Sequence, residues 1–182
     1  DAAISAAYGS AGERCMAVSV VVAVGDIADR LIPELKTRIA GLKIGDGTDP
    51  SSEMGPLITR EAKERVESYV AGAEAEGGVV VVDGREAEFE GNGFFTGVSL
   101  IDHVKTDSKV YRDEIFGPVL AIVRVDSYEE GVQLINDHQF GNGTAIFTRD
   151  GDTARDFASR VNVGMIGINV PIPVPLAYHT FG

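Results

Sequence analysis

The chain has 182 residues, enough for one domain with a substantial core, and its 44% hydrophobic and 24% charged content is that of an ordinary globular protein. Its net charge of −12 argues against a basic surface of the kind that binds nucleic acid or anionic membranes. A single cysteine excludes an internal disulfide and fits a reducing compartment.

The first half of the chain predicts helices and strands in alternation. Residues 2–8 are rich in alanine and predict a helix, and the β-branched run 17–24 predicts a strand buried on both faces of a sheet. A helix over about 26–43 follows, kinked or restarted at Pro33. Thr59 begins the clearest helix, whose apolar residues recur every three or four positions. The remaining elements are a loop at 45–50, a strand at 79–82, a surface excursion at 83–93 and extended structure at 94–101.

The second half continues the alternation. Ser127 and Glu130 have the spacing of a capping box, which predicts a helix that ends near Asn136. The other elements are strands at 119–125, 144–148 and 163–169, and a helix capped by Asp152. This alternation predicts an α/β fold with three layers, in which a largely parallel sheet carries helices on both faces.

In open sheets of this kind ligands bind beyond the carboxyl ends of the strands. We therefore expect functional residues in the connections around 114–118, 141–143 and 169–175.

Cys15, the only cysteine, lies between the first predicted helix and the first predicted strand. A lone cysteine is often a small core residue, and that alternative stays open. However, Gly12 lets the backbone turn tightly, and Arg14 places a positive charge beside the sulfur, which favours the thiolate. Because a thiolate attacks carbonyl carbon, Cys15 is the candidate catalytic nucleophile.

Other chemistry has little support in the sequence. The glycine pairs do not form either of the phosphate-binding patterns G-x-G-x-x-G and G-x-x-x-x-G-K-[ST]. The three histidines, His103, His138 and His179, have no metal-ligand spacing among themselves or with Cys15, so we expect no metal site.

Short motifs recur in order along the whole chain. Residues 12–15 (G-E-R-C) place a glycine shortly before the cysteine, residues 54–58 read M-G-P-L-I, and residues 113–119 read D-E-I-F-G-P-V. Residues 140–148 read F-G-N-G-T-A-I-F-T, and residues 181–182 read F-G. In these motifs the chain resembles the aldehyde dehydrogenase superfamily, whose patterns include G-P-L-I, E-I-F-G-P-V, Y-G-L-A-x-x-V-F-T and F-G-G.

The resemblance implies that residues 1–182 are the catalytic domain of such an enzyme, a fragment whose NAD-binding domain lies upstream. Within the superfamily, Arg14 before Cys15, the strand at 142–148 and the stretch I-N-V-P-I-P-V-P-L at 168–176 resemble the CoA-acylating branch. That branch oxidises malonate or methylmalonate semialdehyde.

The chemistry implied by the resemblance suits a thiolate. Cys15 adds to the aldehyde carbon, a hydride passes to NAD, and the resulting thioester is transferred to coenzyme A. The implied cofactors are thus NAD and, as acyl acceptor, coenzyme A. One alternative is a hydrolytic, NAD(P)-dependent aldehyde dehydrogenase, in which a glutamate upstream of this chain activates water. Another is that the isolated chain is inactive, because NAD and part of the oxyanion site belong to the absent domain.

The resemblance also assigns roles to residues near the cysteine. Arg14 matches a residue that holds the substrate carboxylate, Glu114 one that accepts hydrogen bonds from the nicotinamide ribose, and Phe116 one that packs near the nicotinamide. Asn169 matches an asparagine that supports the active-site loop by hydrogen bonding. From the residues alone, Arg14 is equally a salt-bridge partner of an acid such as Glu13 or a charge that tunes the cysteine. Glu114 and Phe116 are then a solvated loop acid and a core anchor.

The expected partners are a small semialdehyde and further copies of the same chain, in a homodimer or homotetramer, without nucleic acid or membrane. The expected location is the cytoplasm of a bacterium or the mitochondrial matrix of a eukaryote.

Overall fold

A four-stranded sheet and a two-stranded sheet form the framework of residues 1–89, 92–174 and 177–178, the part of the chain that the computed structural model describes. The larger sheet has the strand order β1-β4-β3-β2. Its strands are β1 (Val20–Val24), β2 (Val79–Val82), β3 (Ser99–Asp102) and β4 (Val119–Val125). β1 and β3 pair with β4 in parallel, whereas β2 pairs with β3 antiparallel. In the smaller sheet β5 (Gly143–Ile146) and β6 (Met165–Ile168) pair in parallel.

The helices alternate with the strands only in part, since two helices follow one another between β1 and β2, and the short helix at Lys109–Arg112 was not predicted. They are α1 (Ala2–Tyr8), α2 (Ile27–Ala40), α3 (Arg60–Gly72), α4 (Lys109–Arg112), α5 (Tyr128–Asp137) and α6 (Gly151–Arg160). Thr59 caps α3 by accepting a hydrogen bond from the Ala62 N–H at 3.1 Å, and Ser127 caps α5. The predicted cap of α6 was wrong: Asp150, not Asp152, accepts from the Thr153 N–H at 2.6 Å, and Asp152 lies in the first turn.

Helices cover both faces of the larger sheet, which confirms the α/β fold with a largely parallel sheet. α5 lies against the face that carries Val22 and Val24, since a Cβ built at Gly131 would contact both. Residues of α1 and α2 pack in the main core cluster with Ala23, whose side chain points to the opposite face.

β1 differs from its prediction in length and burial. It begins three residues later than expected, and Val20, Val21 and Val22 are only half-buried, because β1 is an edge strand of the sheet that the structure describes. The β-branched run therefore predicts the strand correctly but not its place in the sheet.

The core fixes α1 and with it the segment that leads to Cys15. Tyr8, at the end of α1, is fully buried and donates its hydroxyl to the Ser99 carbonyl at 3.0 Å. Burial raises the pKa of Tyr8 far above its ordinary value, so the phenol stays a neutral donor. The fully buried side chains around it include Leu100, Ile101, Leu120 and Ile122.

Part of one predicted stretch and one predicted motif lie outside the described residues. They are residues 175–176 of the proline-rich stretch and the terminal F-G at 181–182, and His179 is also among them. Among the helices of the described part, none is long and apolar enough to cross a membrane.

Candidate active site

Cys15 lies on an irregular turn between α1 and β1, and its side chain is exposed. After α1 the chain forms a short 3-10 turn over Gly9–Gly12, in which Ser10 and Ala11 both have φ 54° and Gly12 has φ 70°. Residues other than glycine are uncommon in this left-handed region, and such strained turns concentrate at functional sites. Among the described residues, the exposed Cys15 is therefore not part of the core.

The Cys15 turn meets the segment 113–118 backbone to backbone. A Cβ built at Gly12 would lie 2.2 Å from the Gly117 carbonyl oxygen, so only glycine fits this crossing. Next to Gly117, Phe116 has φ 56° and is 38% exposed, and the Glu114 side chain is also exposed. The structure thus brings Glu114 and Phe116 to the neighbourhood of the Cys15 turn, although they are far from it in sequence.

Helix α3 supports the same segment from behind. Arg65 donates from Nη1 to the Ile115 carbonyl, and the Tyr69 hydroxyl donates to Asp113 Oδ2 at 2.9 Å. Val66 is buried, and a Cβ built at Gly117 would lie 2.3 Å from its Cγ2. The segment that carries Glu114 is therefore held on a helix rather than free.

The Glu13 side chain is hydrogen-bonded to a residue that is distant in sequence. Its Oε1 accepts a hydrogen bond from the Ile58 N–H at 3.4 Å, which ties the M-G-P-L-I motif to the Cys15 turn. The salt bridge between Glu13 and Arg14, one of the alternatives for Arg14, is absent from the described contacts.

Arg14 points back towards α1. Its Nη2 donates to the Ser5 carbonyl at 3.3 Å and to the Ala6 carbonyl at 3.2 Å, where a cation also meets the negative end of the short helix. Its Nε is buried without a hydrogen-bond partner among the described residues. Both bonds use Nη2, so Nη1 is left without a hydrogen bond among the described residues.

Asn142 contacts the candidate nucleophile residue, Cys15, directly. Its Nδ2 donates to the Cys15 carbonyl oxygen at 2.8 Å, and a Cβ built at the next residue, Gly143, would lie 3.0 Å from the Met16 methyl group. From the sequence we expected functional residues around 141–143 but did not identify Asn142 or its contact with Cys15. The available signal was the polar Asn142 where the superfamily pattern Y-G-L-A has leucine.

Asn169 lies beyond the carboxyl end of β6, whereas Asn142 precedes the amino end of β5. The Asn169 side chain accepts a hydrogen bond from the Thr148 N–H and donates one to the Thr148 carbonyl, both at 3.0 Å. With φ 58° it forms a corner, after which the Val170 carbonyl folds back over Gly167. Asn169 therefore fixes the exit from the β5–β6 pair, and its support of the active-site loop stays a prediction.

The candidate residues around Cys15 lie at the amino ends of the strands, whereas we expected functional residues beyond the carboxyl ends. Cys15 precedes β1, the segment 113–118 precedes β4, and Asn142 precedes β5. Parallel pairing of β1 with β4 places their amino ends side by side, and the contacts of Gly12 and Asn142 complete the cluster.

The two histidines within the described residues, His103 and His138, each lie beside polar groups. His103 Nε2 lies 3.6 Å from Asp102 Oδ2, and His138 bridges the Tyr111 carbonyl and the Phe140 N–H. Among the described residues, no group of three or more histidine, cysteine or acidic side chains is arranged to hold a metal ion.

The structure thus combines an α/β fold with an exposed cysteine on a strained turn, next to a segment that carries the exposed Glu114. The whole chain, residues 1–182, matches the model of the family described as "Aldehyde dehydrogenase family". The protein belongs to the aldehyde dehydrogenase family.

Individual relatives indicate which members of the family the chain is similar to. The chain is 56% identical to a malonate-semialdehyde dehydrogenase of Pseudomonas aeruginosa, over 100% of this chain and 37% of that protein. It is 46% identical to malonate-semialdehyde dehydrogenase 1 of Geobacillus thermodenitrificans, over 98% of this chain and 37% of that protein. The chain therefore spans a little over a third of the length of the relatives that it matches.

Solved structures agree with the fold. A protein of Sinorhizobium meliloti assigned as a methylmalonate-semialdehyde dehydrogenase, in complex with NAD, matches with a TM-score of 0.96 and 54% identity. The match covers 100% of this chain and 38% of that one. The betaine aldehyde dehydrogenase of Staphylococcus aureus in complex with NAD+ matches with a TM-score of 0.89 and 31% identity, over 93% of this chain and 34% of that one.

Proposed function

We propose that the full-length protein oxidises malonate or methylmalonate semialdehyde with NAD and transfers the acyl group from Cys15 to coenzyme A. The observation that carries the proposal is the contact between Gly12 and the Gly117 carbonyl oxygen, which holds the nucleophile turn against the segment that carries Glu114 and Phe116. The similarity to malonate-semialdehyde and methylmalonate-semialdehyde dehydrogenases supports the choice of substrate. We also propose that residues 1–182 are the catalytic domain and that the cofactor-binding domain lies in the rest of the protein.

The chemistry assigned to Cys15 is covalent. The thiolate donates an electron pair to the aldehyde carbon and forms a carbon–sulfur bond, which gives a thiohemiacetal. Loss of the hydride from that carbon leaves a thioester on Cys15. Coenzyme A then attacks the thioester through its own thiol, the acyl group leaves as acyl-CoA, and the Cys15 thiolate is regenerated. Decarboxylation converts the products to acetyl-CoA or propionyl-CoA.

The residues near Cys15 fit a bound nicotinamide cofactor. The exposed Glu114 carboxylate can accept hydrogen bonds from two neighbouring ribose hydroxyls, and the partly exposed ring of Phe116 offers an apolar surface beside it. NAD, when bound, would accept the hydride. The similar Sinorhizobium meliloti protein was solved in complex with NAD.

The test is product analysis with the full-length enzyme. Malonate semialdehyde and NAD are supplied with and without coenzyme A, and NADH, acyl-CoA and free acid are quantified. We expect turnover to depend on coenzyme A and to yield acyl-CoA. If the free acid forms at the same rate without coenzyme A, the enzyme is hydrolytic and the acylating function is wrong.

Two variants assign the chemistry to the sulfur. Cys15→Ala should lower turnover at least about a thousandfold, because it removes the sulfur that forms the proposed thioester and residues 1–182 hold no second cysteine. Ser19→Ala changes a nearby exposed side chain and serves as the matched control. Turnover by Cys15→Ala within tenfold of the parent would remove Cys15 from the reaction.

A further inference from the structure

The segment between α5 and β5 joins the two halves of the candidate site. At one end, Asn142 donates to the Cys15 carbonyl oxygen at 2.8 Å. At the other end, His138 and Gln139 contact the chain just before Glu114: His138 Nε2 lies 3.1 Å from the Tyr111 carbonyl oxygen, and Gln139 donates to the Arg112 carbonyl at 2.5 Å.

This segment is fixed along its length. His138 Nδ1 accepts from the Phe140 N–H at 3.1 Å, so its other ring nitrogen is the donor to the Tyr111 carbonyl. The Gly164 N–H donates to the Gly141 carbonyl at 2.7 Å, which ties the segment to the connection before β6. Asn142 is therefore presented to Cys15 by a backbone that is bonded immediately before it.

The Cys15 turn needs such an anchor. Ser10, Ala11 and Gly12 all lie in the left-handed region, so the turn is strained, and strained conformations persist only where the surroundings over-determine them. Gly12 is fixed on one side by the Gly117 carbonyl. On the other side of the sulfur, the Asn142 amide holds the Cys15 main chain by its hydrogen bond to the carbonyl oxygen.

We propose that Asn142 is a positioning residue, which sets the orientation of the Cys15 thiol by holding the Cys15 carbonyl. The residue does not touch the reacting atoms and acts only through the backbone of Cys15. For turnover this inference rests on the proposed function. The geometry of the thiol can be measured without it.

Three variants in the full-length protein test the proposal. Asn142→Asp keeps the shape but replaces the amide donor by a carboxylate that repels the carbonyl oxygen. Asn142→Leu installs the residue of the superfamily pattern Y-G-L-A and cannot donate. Asn162→Leu is the matched control, because Asn162 is an exposed asparagine in the neighbouring connection before β6.

The readouts are the rate at which iodoacetamide alkylates Cys15, the split between kcat and KM, and the thermal unfolding midpoint. We expect Asn142→Leu to change the alkylation rate and lower kcat by about tenfold, the equivalent of one hydrogen bond, with KM for the aldehyde within about twofold of the parent. Asn142→Asp should lower kcat further, and Asn162→Leu should have the alkylation rate and kcat of the parent.

Alkylation and kcat within twofold of the parent in both Asn142 variants, whether or not the unfolding midpoint falls, would overturn the proposal. An equal effect of Asn162→Leu would do the same, since it would show a general response of this region. If the full-length protein turns over no semialdehyde but alkylation still responds to Asn142 alone, the positioning role stands and the proposed function is the part that fails.

Discussion

At the scale of single residues, Arg14 has two possible tasks that use different atoms of one guanidinium. Nη2 is occupied by the carbonyls of Ser5 and Ala6, which ties the Cys15 turn to α1. A substrate carboxylate would have to bind at Nη1, so the contact would be a single charge-assisted hydrogen bond and not the paired fork that arginine can offer. The two tasks separate when substrates with and without a carboxylate are compared.

If Arg14 binds the substrate carboxylate, Arg14→Ala should lower kcat/KM for malonate semialdehyde about 10- to 100-fold more than for propanal, the value of one charge-assisted hydrogen bond. Arg14→Lys keeps the charge but offers a point donor, so it should recover part of the difference between the substrates. Steady-state kinetics on both aldehydes measure the effect. Equal losses of kcat/KM for both substrates, together with a lower unfolding midpoint, would show that Arg14 acts only through its bonds to α1.

At the scale of elements, the sequence predicts the secondary structure of each segment better than it predicts which segments lie side by side. β2 and β4 have the predicted bounds, because β-branched runs and flanking turn residues report local structure. The rule about turns after strands named the segments 114–118 and 141–143 of the candidate site, but it assigned them to the wrong ends of the strands, because they precede β4 and β5. The contact between Asn142 and Cys15 joins residues 127 positions apart, and no local pattern reports such a pairing.

The packing of α3 against the segment 113–118 gives a prediction at this scale. Gly117→Ala would place a methyl group about 2.3 Å from Val66 Cγ2, and overpacking of this kind costs about 1–3 kcal/mol. We expect a lower unfolding midpoint and a raised KM for NAD, because the segment that carries Glu114 must move. Val66→Ala removes the opposing methyl groups, so the double variant should recover NAD affinity relative to Gly117→Ala.

The double-variant cycle is measured by NAD titration and thermal unfolding of the full-length protein. Additive effects of the two substitutions would show that Val66 does not set the position of the segment. Val70→Ala, another buried valine of α3, gives a control for the general cost of a cavity in this helix.

At the scale of the whole molecule, one charged cluster joins elements that are far apart in the chain. Arg124 in β4 donates to both carboxylate oxygens of Asp102 at the end of β3, at 3.1 and 2.7 Å, and its Nη1 donates to Asp29 of α2 at 2.7 Å. Asp102 is 4% exposed, and His103 adds its backbone N–H at 2.7 Å. This cluster holds α2 against the sheet at the end opposite to Cys15, so it affects stability separately from the chemistry.

Arg124→Met tests this cluster through pH. Burial tends to raise the pKa of Asp102, but hydrogen bonds from Arg124 and from the His103 N–H hold it below its ordinary value. A carboxylate whose folded pKa is lowered stabilises the protein above its unfolded pKa of about 3.9 and loses that contribution as pH falls through the folded pKa. Without Arg124 the buried Asp102 carboxylate loses both guanidinium hydrogen bonds and keeps that from the His103 N–H, which costs about 3 kcal/mol near neutral pH. We therefore expect a lower unfolding midpoint at pH 7 and a difference in midpoint from the parent that narrows below about pH 4.

Arg30→Met, at an exposed arginine of α2, is the control and should match the parent at every pH. A gap that stays constant down to pH 3 would show that Asp102 is not the group that Arg124 stabilises.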